Sequence, residues 1–116
     1  MAAATYHLTL EQGATWDQSI VWKDSGGTPR NLTGYTARLQ IRPTASSDVT
    51  YVNMTTGGGG ITITAGTGTI NLFLSAAATA ALTFTQAVYD LEAESSGGVV
   101  TRLMQGRVTL SREVTR

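Results

Sequence analysis

The chain has no cysteine, only two prolines and a single histidine. Without thiols there is no disulfide framework, no thiolate nucleophile and no Cys-based metal site. The oxidised scaffold of many small secreted domains is thereby excluded. Charge is scarce too. Eight Lys and Arg balance eight Asp and Glu, together 14% of the chain, for a net charge of zero. A neutral chain exerts no long-range pull on nucleic acid or anionic membrane, so neither is expected as a partner. No apolar run approaches the ~20 residues that a membrane-spanning helix needs. The opening Met1-Ala2-Ala3-Ala4-Thr5 lacks the basic and apolar regions of a secretory signal. The expectation is a protein made and used from the cytoplasm.

What is present is alternation. At 116 residues the chain reads as one domain, 1–116, large enough to bury roughly two-thirds of its unfolded surface. From Ala87 to Glu94 the odd positions are apolar or aromatic, and Asp90, Glu92 and Glu94 are acidic. Period two places one set in a core and the other in water. Ser95-Ser96-Gly97-Gly98 is a turn, and the return strand runs from Val99 to about Ser111. Ala37, Leu39 and Ile41 alternate with Arg38, Gln40 and Arg42, and Pro43 ends that strand. Tyr6, Leu8 and Leu10 form a first strand, and Thr15 to Trp22 a second, with Gln18 interrupting its apolar face. Val49 to Met54 is a short strand. Ile61 and Ile63, then Ile70, Leu72 and Leu74, make two more around Ala65-Gly66-Thr67-Gly68.

Two local features modify this pattern. Ser75 is placed to cap a short alanine-rich helix reaching Leu82, which reads as a crossover at one end of a sandwich. In the last strand Leu103 and Gln105 share one parity and Val108 and Leu110 the other, so a β-bulge is expected at Gly106. Seven to nine strands with regular turn signals predict an all-β fold, an antiparallel sandwich or small barrel. Tyr89 opens a long strand after the helical crossover. It reads either as an immunoglobulin-type tyrosine corner or as a plain core aromatic.

No constellation for catalysis stands out. His7 sits on the first strand and is read as solvent-facing, since one histidine with scattered carboxylates does not make a metal or acid–base site. The row Asp90, Glu92, Glu94 has a spacing of about 7 Å along the strand, compatible with carboxylate chemistry or Ca²⁺. A solvated face, or ion pairs across the hairpin to Arg102 or Arg107, is the preferred reading. Gly57 to Gly60 lacks the Lys-Ser/Thr of a phosphate loop and reads as a flexible tip that could order against a partner. Arg102, Arg107, Arg112 and Arg116 make the C-terminal part locally basic. They read as interfacial arginines or as a solvated strand end. Trp16 and Trp22 are core residues or contact anchors. No enzyme activity, cofactor, metal or small-molecule substrate is expected.

Four phrases, in order, carry a resemblance: Leu8-Thr9-Leu10-Glu11-Gln12-Gly13-Ala14-Thr15-Trp16, Asn31 to Arg42, Val88-Tyr89-Asp90-Leu91-Glu92 and Leu103 to Leu110. Together they resemble small structural proteins of tailed bacteriophages and prophages. They are also similar to the N-terminal immunoglobulin-like domain of phage upper baseplate proteins. The resemblance implies an immunoglobulin-like sandwich that docks onto other virion proteins and onto copies of itself, within a particle assembled in the bacterial cytoplasm. It implies a tail, baseplate or collar adaptor, with capsid decoration as the alternative and inhibition of a host protein behind both. The chain lacks the long fibre or receptor-binding extension of such proteins, which counts against a complete host-binding role. The expected contact residues are Tyr6, Leu8, Leu10, Arg102, Arg107 and Arg112, on the first and last strands. Removing Met1 to Glu11 is then expected to leave a folded domain that fails to assemble.

Overall fold

A computed structural model describes residues 4–115. Nine strands pack as two sheets, an immunoglobulin-like β-sandwich. The large sheet has the order β1-β9-β8-β4-β5, with β2 beside β9 in line with β1. Its strands are β1 (Ala4–Thr5), β2 (Leu8–Glu11), β4 (Thr36–Arg42), β5 (Val52–Thr55), β8 (Gln86–Glu94) and β9 (Val100–Ser111). The small sheet has the order β3-β7-β6, from β3 (Trp16–Val21), β7 (Thr69–Leu74) and β6 (Ile61–Thr64). A short helix, α1 (Ala76–Ala80), carries the chain from the small sheet to the large one. Ser75 Oγ accepts the Ala78 N–H, the cap that its position predicts.

Alternation decides which side chains are inside. Leu39 and Ile41 of β4, Leu91 of β8, Val108 of β9, Leu10 of β2, and Ile70 and Leu72 of β7 are completely enclosed between the sheets. Trp16, Ile20 and Trp22 pack against that core from the edge of the small sheet, so both tryptophans are core-edge residues. Arg30 lies over the Trp22 ring at 4.7 Å, and Tyr35 meets it edge-on. Thr79 is the one buried polar side chain among the described residues. Its hydroxyl donates to the Ala14 carbonyl at 2.8 Å and accepts the Gly13 N–H at 3.1 Å, which ties α1 to the turn between β2 and β3.

Three expectations need correction. The first strand is two pieces, β1 and β2, broken at Tyr6-His7, and both run parallel to β9. The bulge of β9 lies at Leu103, not at Gly106. Leu91 pairs with Met104 and Glu92 with Arg102, so Leu103 is the extra residue. Met104, Val108 and Leu110 then share the buried side. Gly57 to Gly60 is also no free tip. Gly59 exchanges both backbone hydrogen bonds with Thr55, and the Gly60 carbonyl accepts the Phe73 N–H at 2.8 Å. These glycines carry the chain from β5 across to β6.

Candidate interaction surfaces

The outward residues of β4, β8 and β9 form three rungs. Arg38 stands beside Glu92, which stands beside Arg102. Gln40, Asp90 and Gln105 form the next rung, and Arg42, Val88 and Arg107 the third. Arg38 donates to Glu92 at 3.0 Å and to Glu94 at 3.1 Å, and these bonds hold its guanidinium above the ordinary arginine pKa. Arg102 approaches Asp90 at 3.5 Å. Partial burial, with Glu92 nearby, pushes the Asp90 carboxyl above the ordinary aspartate range despite Arg102. Arg42 donates to Gln40 and to the Ser47 carbonyl. The rungs floor an open groove of about 540 Å³. Its charges are largely spent on one another, so the acidic row is a cross-strand ion-pair ladder. Among the described residues no three His, Asp or Glu side chains converge as metal ligands.

The break between β1 and β2 is a clasp. Tyr89 sits in the core at 4% exposure, and its hydroxyl donates to the Tyr6 carbonyl at 2.7 Å. Burial of the phenol, with a smaller contribution from Tyr6, pushes its pKa up to about 12. The bond reaches back to the first strand rather than a few residues upstream, so Tyr89 is not a tyrosine corner. His7 Nδ1 accepts the Arg107 N–H at 3.0 Å, in place of a backbone carbonyl. Gly106 makes the clasp possible, since a Cβ there would fall 2.3 Å from the Tyr6 carbonyl oxygen. That close approach, and not a bulge, is what the glycine serves.

The expected contact residues divide accordingly. Leu8 and Leu10 are buried at 4% and 0% exposure, so their side chains belong to the core and offer no surface. Removing residues 1–11 would take both from the core and uncover β9, so burial argues for a destabilised truncation rather than a folded one. Tyr6 is half exposed and stays accessible. Arg102 and Arg107 line the groove. Arg112 donates to the Thr83 carbonyl at 3.0 Å, which fastens the end of the chain beside the segment leading into β8. Arg116 lies outside the described residues.

The small sheet presents a different surface. Asp17, Ser19 and Val21 of β3, Thr69, Asn71 and Phe73 of β7, and Thr62 and Thr64 of β6 share its outer face. Asn71 donates to Asp17 at 2.8 Å and to Ser19 at 3.0 Å. Val21 and Phe73 are 45% and 44% exposed. Between Asp48 and Asp90 the sequence has no charged residue at all. That span supplies two of the three strands here, and its lack of charge is a signal that strand-by-strand reading passes over. Among the described residues no helix is long and apolar enough to cross a membrane. No protein-family model matches the chain, and no curated protein is significantly similar to it.

Proposed function

We propose that this chain is a non-catalytic contact module of a tailed-phage particle, an immunoglobulin-like adaptor of the tail, baseplate or collar. The observation that carries the contact role is the small sheet's outer face. It is rich in Thr, Ser and Asn, carries Asp17 as the one charge within its three strands, and exposes Val21 and Phe73. Such a face costs less to desolvate against a neighbour than a charged one does, and its hydroxyls and amides can hydrogen-bond across the contact. The phage affiliation rests on the four sequence phrases that resemble virion proteins. Quantitative mass spectrometry of particles purified from a host that expresses the chain tests the reading. Recovery at the copy number of a tail or portal ring is the expected result. A copy number near that of the major capsid protein replaces the adaptor with a decoration protein, and absence from particles rejects both.

A further inference from the structure

Each open edge of a sandwich exposes unpaired backbone groups, and proteins normally blunt such edges. Three of the four edges here are blunted. The edge formed by β1 and β2 is broken at Tyr6-His7. On β5 the N–H and C=O of Thr55 are both taken by Gly59. Beyond β6 the Ala65 carbonyl accepts the Leu32 N–H, and Gly59 on the other side is turned to Thr55, which leaves only Ile61 and Ile63 facing outward.

Among the described residues nothing of this kind covers the edge of β3. In an antiparallel ladder, alternate residues send both backbone groups to the same side. The Trp22 N–H bonds to the Gly68 carbonyl, so Trp22, Ile20, Gln18 and Trp16 face β7. Asp17, Ser19 and Val21 therefore face away. Lys23 faces the same way, because its bridge to Pro29 is carried by the groups of Trp22 and Asp24. Among the described residues no backbone hydrogen bond is made by these four outward ones. The run has no Pro and no Gly.

We infer that two copies of this chain pair antiparallel through β3, about a two-fold axis at Ile20, to give one continuous six-stranded sheet. The register follows from three constraints. A two-fold strand pair that keeps inner side chains inside must place its axis on a residue, not between residues. With the axis at Ile20, Ser19 of each copy lies opposite Val21 of the other, and Asp17 of each lies opposite Lys23 of the other. All four outward residues of each copy then meet a complementary outward residue, and the only two charges on this edge fall opposite charges of the other sign. Opposed pairs of this kind are favourable on a sheet, and like charges in the same place are not. Val21, now 45% exposed, is covered by its counterpart. An axis at Ser19 would instead set Asp17 against Val21 and Lys23 against Thr15.

The test uses the purified chain and does not depend on any particle, so it can fail while the incorporation experiment succeeds, or the reverse. Sedimentation of the wild-type chain should show a concentration-dependent monomer–dimer equilibrium. Asp17→Lys should weaken it about tenfold or more by setting like charges opposite one another. Adding Lys23→Asp to that variant should restore it, a rescue that damage to the monomer would not produce. The cysteine-free background allows a check of register. Ser19→Cys and Val21→Cys chains, mixed under mild oxidation, should form a mixed disulfide, because directly opposed residues lie about 5.5 Å apart in such a ladder. Ser19→Cys alone should remain largely uncrosslinked. A wild-type chain that stays monomeric up to about 1 mM, or a charge swap that fails to restore association, or no preference for the mixed disulfide, overturns the inference.

Discussion

The outer faces of the two sheets obey different rules, although both sheets close on the same core. On the large sheet the charges pair across strands, so the face is occupied with itself. Within the strands of the small sheet Asp17 is the lone charge, two apolar side chains are exposed and the edge strand β3 is open. The contrast separates two uses of surface. Paired charges hold neighbouring strands of one chain in register, while uncharged residues and free backbone groups are available to another chain. The groove on the large sheet would be the first place to look for a ligand. Apart from the Arg107 guanidinium, its charged side chains already have partners, and the small sheet with its edge is the better candidate for contact.

The comparison breaks first at the core, where the two sheets should behave alike and their outer faces should not matter. Leu39 is completely enclosed at the centre of β4, and Phe73 stands half exposed on the small sheet. Leu39→Ala should cost about 2–5 kcal/mol, the lost transfer energy plus a cavity. Phe73→Thr should change stability by about 0.5 kcal/mol or less, since Thr keeps the strand propensity. Denaturant unfolding of the two variants checks the pair. A large loss at Phe73 would mean that the small sheet's outer face is holding the monomer together, which would remove the argument for contact.

The clasp at Tyr89 gives a smaller effect with a pH signature. Tyr89→Phe removes the bond to the Tyr6 carbonyl and should cost about 1 kcal/mol, because the half-exposed Tyr6 segment lets water replace the lost donor. The phenol's pKa is about 12 in the folded chain, against about 10 in an unfolded one. The folded state therefore holds its proton more tightly. The resulting stability is fully present below pH 10 and is lost as pH rises from about 10 through about 12. Thermal unfolding across that window should fall more steeply for the wild type than for Tyr89→Phe. Parallel slopes would mean that another group drives the alkaline loss.

Much of this fold is legible because local pattern and burial agree. Ala37, Leu39 and Ile41 point inward as their alternation requires, and the Ser75 cap and the turn at Ala65 to Gly68 stand where the residues place them. The misreadings share a cause: they involve partners far away in sequence. Gly106 looks like a bulge until the Tyr6 backbone, 100 residues earlier, is laid against it. Leu103 gives no local sign that it is the extra residue. Tyr6 to Leu10 reads as one strand because the clasp that breaks it is built from Tyr89 and Arg107. The acidic row was legible, and so was its pairing across the hairpin to Arg102. Its main partner, Arg38, comes from the strand on the other side. The open edge of β3 depends on where β2 goes, and nothing within Trp16 to Val21 encodes that β2 joins the other sheet.

The smallest effect bears most directly on what the charged rungs are for. Arg38 bonds two carboxylates, yet it is 46% exposed and its partners are 25% and 37% exposed. Exposed pairs return little, because water already stabilises the separated charges and the side chains lose freedom on pairing. Arg38→Ala should therefore cost no more than about 1 kcal/mol, and the difference from wild type should shrink as salt is raised. The same substitution takes the hydrogen-bonded cation away from both Glu92 and Glu94. Unfolding at two salt concentrations checks the slope. A loss that ignores salt would mean that the Arg38 alkyl chain, lying along the sheet, contributes more than its charge, and the rungs would then be packing rather than pairing.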